Sequence, residues 1–493
     1  MANFFEEVFI RQKLKNPLGL LLAFGLAGVI GFLLATKMVL GLLVIGGLIG
    51  ICILITCITY PEVSLYGLIA FIFNNVFFIR LLNLDFPGGV VYDILLFTGC
   101  IGILLSRRHT GRSDGYFFKS QVALWFTIMV GYNMIEVANP TTHNMTAWIN
   151  GARKSLEELV LLFMAYNIFT SMRMIKRFLT VLLILSVIAG AYAVFQQIHG
   201  LMDFERAWVE ADQNRFGLLF IQGNFRKFST FPGPTSFGVD MSACALLFAL
   251  IAMYQKGARR FWMFLGAFIL LWGMVYSGTR TANVIIVAGM ALYIMLGFDR
   301  KPVRVFTLCA ALAFVFALYV PIYSSQPLNR FRSSFIGTKD ESYQLREMDR
   351  KFIQHYIYSH PIGWGLGTTN GAPGEYSMGT PLDGFQTDDQ YLRIALETGW
   401  IGLILFCCTN FVILRMGIRG YFRSRNPTRK VIYAACLAAL LAFMVTELAQ
   451  EAIGQLECDV IIVPLVAVMM RLDQMDKSEA ASPQSEPAEA VPA

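Results

Sequence analysis

Residues 38–59 read MVLGLLVIGGLIGICILITCIT, twenty-two positions without a single charge. Wound as a helix at about 1.5 Å per residue, this run is about 33 Å long, which matches the hydrocarbon core of a bilayer. It reads as a membrane span, and comparable apolar runs recur along the chain. They fall near residues 17–35, 38–59, 63–81, 89–106, 119–137, 154–170, 177–198, 235–254, 261–278, 281–298, 303–320, 391–414, 430–447 and 456–470. The expected fold is therefore an all-α polytopic membrane protein with about fourteen spans. Spans 1–11 occupy residues 17–320, spans 12–14 occupy 391–471, and one large extracytoplasmic loop, 321–390, separates spans 11 and 12.

Composition points the same way. Of 493 residues, 56% are hydrophobic and only 15% charged, more apolar material than a water-facing globule can cover. The formal charge of +7 sits in short Lys/Arg clusters between apolar runs, a membrane pattern rather than a nucleic-acid-binding one. The nine cysteines show no CxxC and sit mostly inside apolar runs, as packing residues do. The run from Pro17 to Ala35 is too long for a signal-peptide core and reads as a retained first span.

The basic clusters also set an expected topology. Arg107-Arg108-His109, Arg173 to Arg177, Lys256 to Arg260, Asp299 to Arg304, and Arg415 to Lys430 all fall on one side if the N-terminus is cytoplasmic. Ala138 to Gly151, His199 to Pro234, and Pro321 to Gln390 then face outward. An even span count follows, with both termini cytoplasmic. Residues 1–16 carry Phe4, Phe5, Val8, Phe9 and Ile10 among charges and suit an interfacial helix. Residues 472–493, ending in a tail rich in Ala, Ser, Pro and Glu, are expected to be disordered.

Charges kept beside apolar segments mark candidate chemistry, because their desolvation must be offset by a use. Arg280, in Tyr276-Ser277-Gly278-Thr279-Arg280, can grip a diphosphate in bidentate fashion or simply anchor a helix at the interface. Arg226 and Lys227 lie among aromatics before Pro232-Gly233-Pro234 and can cap an anionic headgroup or form a plain basic patch. Arg346 and Arg350 share one face of an amphipathic helix expected over 342–359, ended by His360-Pro361. The following Gly363-Trp364-Gly365-Leu366-Gly367 lacks the Lys-Ser/Thr ending of a phosphate loop and reads as a tight turn. Asp388 and Asp389 precede Tyr391 and the last group of spans. They can cap a helix, serve as a general base, or hold a divalent cation. The five histidines form no metal-ligand spacing, and HExxH, GxSxG and complete Walker patterns are absent from the sequence.

The order of these motifs, from Arg226 through Ser277-Gly278-Thr279-Arg280, Arg346 and Pro361-Ile362-Gly363-Trp364-Gly365 to Asp388-Asp389-Gln390-Tyr391-Leu392 and Glu397-Thr398-Gly399-Trp400, resembles the O-antigen ligase and O-antigen polymerase superfamily of bacterial surface-polysaccharide enzymes. The likeness is strongest from about Arg226 to Leu403. It implies a GT-C-like glycosyltransferase in the bacterial cytoplasmic membrane, using a glycan on a polyprenyl diphosphate and needing no cofactor or metal. It implies diphosphate binding by Arg226, Arg280 and Arg346, supported by Lys227, Arg350 and Tyr391. It places Asp388 next to the acceptor, where its carboxylate is expected to accept the hydroxyl proton, with Asp389 orienting it or the arginine side chains. Ligases of the family commonly carry His at the position of Asp388, so the pair Asp388-Asp389 leaves polymerase and protein-glycan ligase open. The implied partners are the lipid-linked glycan, a glycan, lipid or protein acceptor, membrane lipids and envelope polysaccharide-assembly proteins. The rival class is a transporter or flippase of lipid-linked oligosaccharide, which a chain of so many spans also suits.

Overall fold

The computed structural model describes residues 17–83, 88–110, 116–221, 223–299, 301–320, 326–336, 341–369, 375–385 and 387–481. The expectations for residues 1–16 and 482–493 fall outside them. Among the described residues twenty α-helices follow one another. They are α1 (Pro17–Thr36), α2 (Met38–Thr59), α3 (Pro61–Leu82), α4 (Gly88–Thr110), α5 (Tyr116–Lys119), α6 (Gln121–Ile135), α7 (Met145–Ile168), α8 (Met172–His199), α9 (Asp203–Glu210) and α10 (Gln213–Leu219). After a hairpin of β1 (Phe220–Ile221) and β2 (Asn224–Phe225) come α11 (Pro234–Ala252), α12 (Gly257–Ser277), α13 (Arg280–Gly297), α14 (Lys301–Tyr319) and α15 (Gln326–Ile336). The chain continues with α16 (Glu341–Ser359), α17 (Gln390–Glu397), α18 (Gly399–Arg423), α19 (Pro427–Thr446) and α20 (Leu456–Ala481).

Among the described residues, nine of these are long and apolar enough to cross a membrane: α3, α4, α6 with its short extension to Ala138, α8, α11, α12, α13, α18 and α19. The other five expected spans coincide with helices as well, namely α1, α2, α7, α14 and α20. With a single two-residue hairpin as sheet, the described chain is an all-α polytopic membrane protein.

Two units divide it. The first, residues 1–68 and 89–113, holds α1 and α2, and inside it the buried Ser64 hydroxyl donates to the Leu95 carbonyl at 2.5 Å. The second, residues 69–88 and 114–493, is organised around α11 and α19, which are the most enclosed of the candidate spans. Both are buried on nearly every side, including the polar Asp240 and Ser242 of α11, as a helix surrounded by protein is. Close helix approach in this unit depends on small residues. A Cβ on Gly273 of α12 would lie 2.8 Å from the Gly190 carbonyl oxygen of α8.

Two features depart from expectation. The span expected over 391–414 is broken, because α17 ends at Glu397 and α18 starts at Gly399. Gly399 has φ +64°, and a Cβ there would meet the Pro361 carbonyl oxygen at 2.1 Å. The turn after Pro361 therefore occupies the space an unbroken helix would need. The tail expected to be disordered from 472 is instead helical to Ala481. Arg429 of α19 explains this, since it binds Asp476 at 2.9 Å and also pairs with Glu479, fastening the last turns of α20.

Candidate active site

The polar break between α12 and α13 is covered by the segment that follows the hairpin. Phe220 pairs with Phe225 across an antiparallel register, and Gly223 at φ +79° supplies the left-handed turn residue. The chain then lies against the break. The Arg226 Nε donates to the Ser277 carbonyl at 2.9 Å and its Nη2 to the Thr279 hydroxyl at 3.1 Å, while the Lys227 amide donates to the Tyr276 carbonyl at 3.0 Å. Thr279 in turn donates to the Pro234 carbonyl at 2.8 Å, so both edges of the segment are tied to one turn.

Arg80, buried in α3, holds this segment from behind. Its guanidinium donates to the Ser229, Phe231 and Pro232 carbonyls at 3.2, 2.5 and 3.2 Å. It also stacks 4.1 Å from the Trp208 ring and 4.4 Å from Phe228. Ser229 adopts φ +53°, an unusual conformation for a non-glycine residue. It is held by two hydrogen bonds, its hydroxyl donating to the Ala189 carbonyl at 2.6 Å and its amide donating to the Gln196 side-chain oxygen at 3.0 Å.

A third arginine joins Arg226 and Arg280 here. Arg330 of α15 donates to the Gly278 carbonyl at 2.8 Å and lines a cavity of about 90 Å³ with Arg226, Asn224, Gln197 and Tyr276. Burial first, and then the charges of Arg330 and Arg280, push the Arg226 guanidinium down to about 10. Arg330 is lowered by burial and by Arg280. Three cations thus repel one another at one turn, an arrangement that a polyanion would relieve. Lys227 is buried, and its ammonium is lowered by that burial.

The second group of candidates forms around the start of α17. Asp389 is its N-cap, accepting from the Leu392 amide at 3.2 Å, and its other oxygen pairs with Arg350 of α16 at 2.8 Å. Arg350 also donates to the Leu448 carbonyl at 3.3 Å. Asp388, one residue earlier, is exposed. Its charge is the second cause, after burial, that raises the Asp349 carboxyl of α16 above the usual range. Tyr391 donates its hydroxyl to the Met444 carbonyl at 3.2 Å, an anchoring role against α19. Arg346 lies on α16, and its side chain falls outside the described residues.

Why the glycine-rich turn and the Glu397-Thr398-Gly399-Trp400 motif occur together is visible in their bonds. Glu397, buried, accepts from the Gly367 amide at 2.9 Å, the Thr369 amide at 3.0 Å and the Thr369 hydroxyl at 2.5 Å. The anion held by these turn amides is the protein's own carboxylate. Backbone bonds from Trp364 to Leu396 at 2.8 Å and from Trp400 to Pro361 at 3.0 Å complete the joint. A small core of Ile353, Ile357, Trp364, Leu382, Ala395 and Leu396 packs α16 onto α17. Sequence reasoning missed Arg330 and Arg80 altogether and gave Glu397 no role. Arg80, a lone charge at the end of a long apolar run, was the legible signal.

Fold and sites together define a multi-pass, all-α membrane protein with a cluster of cations at one helix break and a carboxylate-bearing helix start. Residues 265–407 match the family described as O-antigen ligase, a stretch that contains Arg280, Arg330, Arg346, Arg350, Asp388, Asp389 and Glu397. An O-antigen polymerase from Salmonella muenchen is 29% identical over 191 residues, which is 37% of this chain and 45% of that protein. The chain thus matches less than half the length of this relative. Both findings support the resemblance to the O-antigen ligase and O-antigen polymerase superfamily.

Proposed function

We propose that the chain is a GT-C-like glycosyltransferase of the bacterial cytoplasmic membrane. It moves a glycan from a polyprenyl diphosphate to an acceptor hydroxyl at the outer face, in the making of surface polysaccharide or protein-linked glycan. In this reading the fourteen helices named above span the bilayer, both termini are cytoplasmic, and residues 321–390 form an outer loop between spans 11 and 12. The observation that carries it is the convergence of Arg226, Arg280 and Arg330 at one turn, within and beside the stretch that matches the O-antigen ligase family.

Chemically, the acceptor oxygen attacks the anomeric carbon and gives its proton to the Asp388 carboxylate. The bond from that carbon to the diphosphate breaks, and the diphosphate departs with the electron pair. Guanidinium groups neutralise the charge that develops there, without proton transfer or metal. Attack opposite the leaving group inverts the centre. Asp389 has its two oxygens committed to the helix cap and to Arg350, so the role of base falls to Asp388. The same engagement disfavours a shared divalent cation at the pair, and the reaction as written requires no cofactor. Arg346 sits on the helix that carries Arg350 and joins the donor side in this reading. Lys227 supports the donor side from the segment that carries Arg226, while Tyr391 steadies the start of α17.

The test is the pool of lipid-linked glycan in a deletion strain complemented with wild type, Asp388→Asn, Arg280→Ala or Arg330→Ala. Wild type should clear the accumulated intermediate, and each variant should leave it. Accumulated single repeats would mark a polymerase, and accumulated finished polymer a ligase. Pools unchanged by the deletion, as a transporter of another amphiphile would leave them, would overturn the proposal.

A further inference from the structure

A second basic site lies far from the first. Helix α18 is 25 residues long, about 37 Å, so its C-terminal end lies a membrane's thickness away from the Gly399 break. There a cavity of about 560 Å³ is lined by Lys119, Arg415, Arg419, Arg423, Lys477 and a single carboxylate, Asp473. Arg415, Arg419 and Arg423 are spaced i, i+4, i+8 and so share one face of the helix. Asp473 pairs with Arg423 and with Lys477, the latter at 2.7 Å, which fixes the floor of the cavity. No hydrogen bond or ion pair to Lys119, Arg415 or Arg419 is found among the described residues, and all three are exposed. Arg415 and Arg419 of α18, open toward a cavity that Lys119 of α5 and Lys477 of α20 also line, suit phosphate oxygens better than they suit one another.

The remaining wall is apolar or aromatic. Met416 and Met470 contribute side chains, as do the rings of Tyr116 and Tyr166, and Lys477 sits 5.9 Å from the Tyr116 ring centre. Cations beside methionine and tyrosine at the end of a span match an amphiphile whose charged group meets its acyl chains at that depth. A cavity of this size accommodates a phosphodiester headgroup.

We propose that this cavity binds the phosphate of an anionic phospholipid at the membrane face opposite the candidate active site. The shared chemistry with a free phosphate or diphosphate is acknowledged by the test, which separates the two sources. The full-length protein, purified and placed in nanodiscs of phosphatidylcholine, is titrated with phosphatidylglycerol or cardiolipin, and bound lipid is counted by native mass spectrometry. Wild type should retain the anionic lipids over phosphatidylcholine. Arg415→Gln with Arg419→Gln should weaken that retention roughly 30-fold, at about the contribution of one cation each near an anionic surface. Lys119→Gln, on a different element, should weaken it on its own by roughly fivefold with an unchanged Tm. Equal retention of phosphatidylcholine, or anionic-lipid affinity untouched in both variants, would overturn the proposal. Inorganic pyrophosphate binding as tightly as the lipid, and lost in the same variants, would identify a soluble phosphate as the occupant and overturn the lipid assignment.

Discussion

Asp388 and Asp389 are neighbours in sequence with different employment in the fold. Asp389 is buried, caps α17 and holds Arg350, whereas Asp388 is exposed. Asp388→Asn should therefore cut transfer by about 100-fold or more while leaving the Tm unchanged, measured by the conversion of lipid-linked glycan and by thermal melting of the same preparation. Asp389→Ala should behave differently, lowering stability by about 1–2 kcal/mol through the lost cap and leaving Arg350 without its carboxylate. Asp349 offers a check by pH. Its folded-state carboxyl is raised by burial and by Asp388, so the folded state holds the proton more tightly than the unfolded one. The stability from that proton is fully present below the unfolded value and is lost as the pH rises through the raised one. Asp349→Asn should consequently melt at the same or a higher temperature than wild type near pH 7, with the difference vanishing toward about pH 4. A variant less stable at neutral pH would show that the burial of Asp349 is compensated by a partner.

At the scale of elements, the joint between the glycine-rich turn and the break before α18 is the most constrained part of the second site. Glu397→Gln keeps the shape of the side chain but replaces a charged acceptor of three hydrogen bonds by a neutral amide with one oxygen. It should cost about 2–3 kcal/mol in stability, and activity should fall with it. Gly399→Ala should be worse, since it adds strain at positive φ to a collision with Pro361, and soluble yield after membrane extraction would report it. The apolar runs that announce spans were legible because their length and lack of charge admit one reading in a bilayer. The break at Gly399 was not, because one glycine in an apolar run is compatible with a continuous helix until a distant turn is seen to occupy its side. Helices α9, α10 and α15 were equally hidden, being short segments of mixed composition whose order comes from tertiary contacts such as Trp208 on Phe228. Arg330 was missed for the same reason: its segment carries several cations, and only the hydrogen bond to Gly278 distinguishes it from the rest. The motifs around Arg226, Arg280 and Asp388 were legible as an ordered set, though not what each side chain would touch.

For the molecule as a whole, the basic clusters and the two polar sites make a single geometric demand. If α18 crosses the bilayer, Asp388, ahead of the short α17 that leads into it, and Arg423 at its end cannot be reached from the same compartment. In the proposed topology the candidate reaction site lies with the long outward connections, and the cavity around Arg415 and Arg419 lies with the short connections in which Lys and Arg are concentrated. An even span count keeps those two assignments consistent from the first basic cluster to the last, and one span too many or too few anywhere between would reverse every later segment. Single cysteines in a background lacking the nine native ones test this directly. Met378→Cys, in the large loop and highly exposed, should react with a membrane-impermeant maleimide in intact spheroplasts. Arg259→Cys, at the start of α12, and Arg425→Cys, after α18, should react only once the membrane is opened. Labelling of Met378→Cys and Arg425→Cys from the same side would mean that α18 does not cross, and would remove the separation between the two sites.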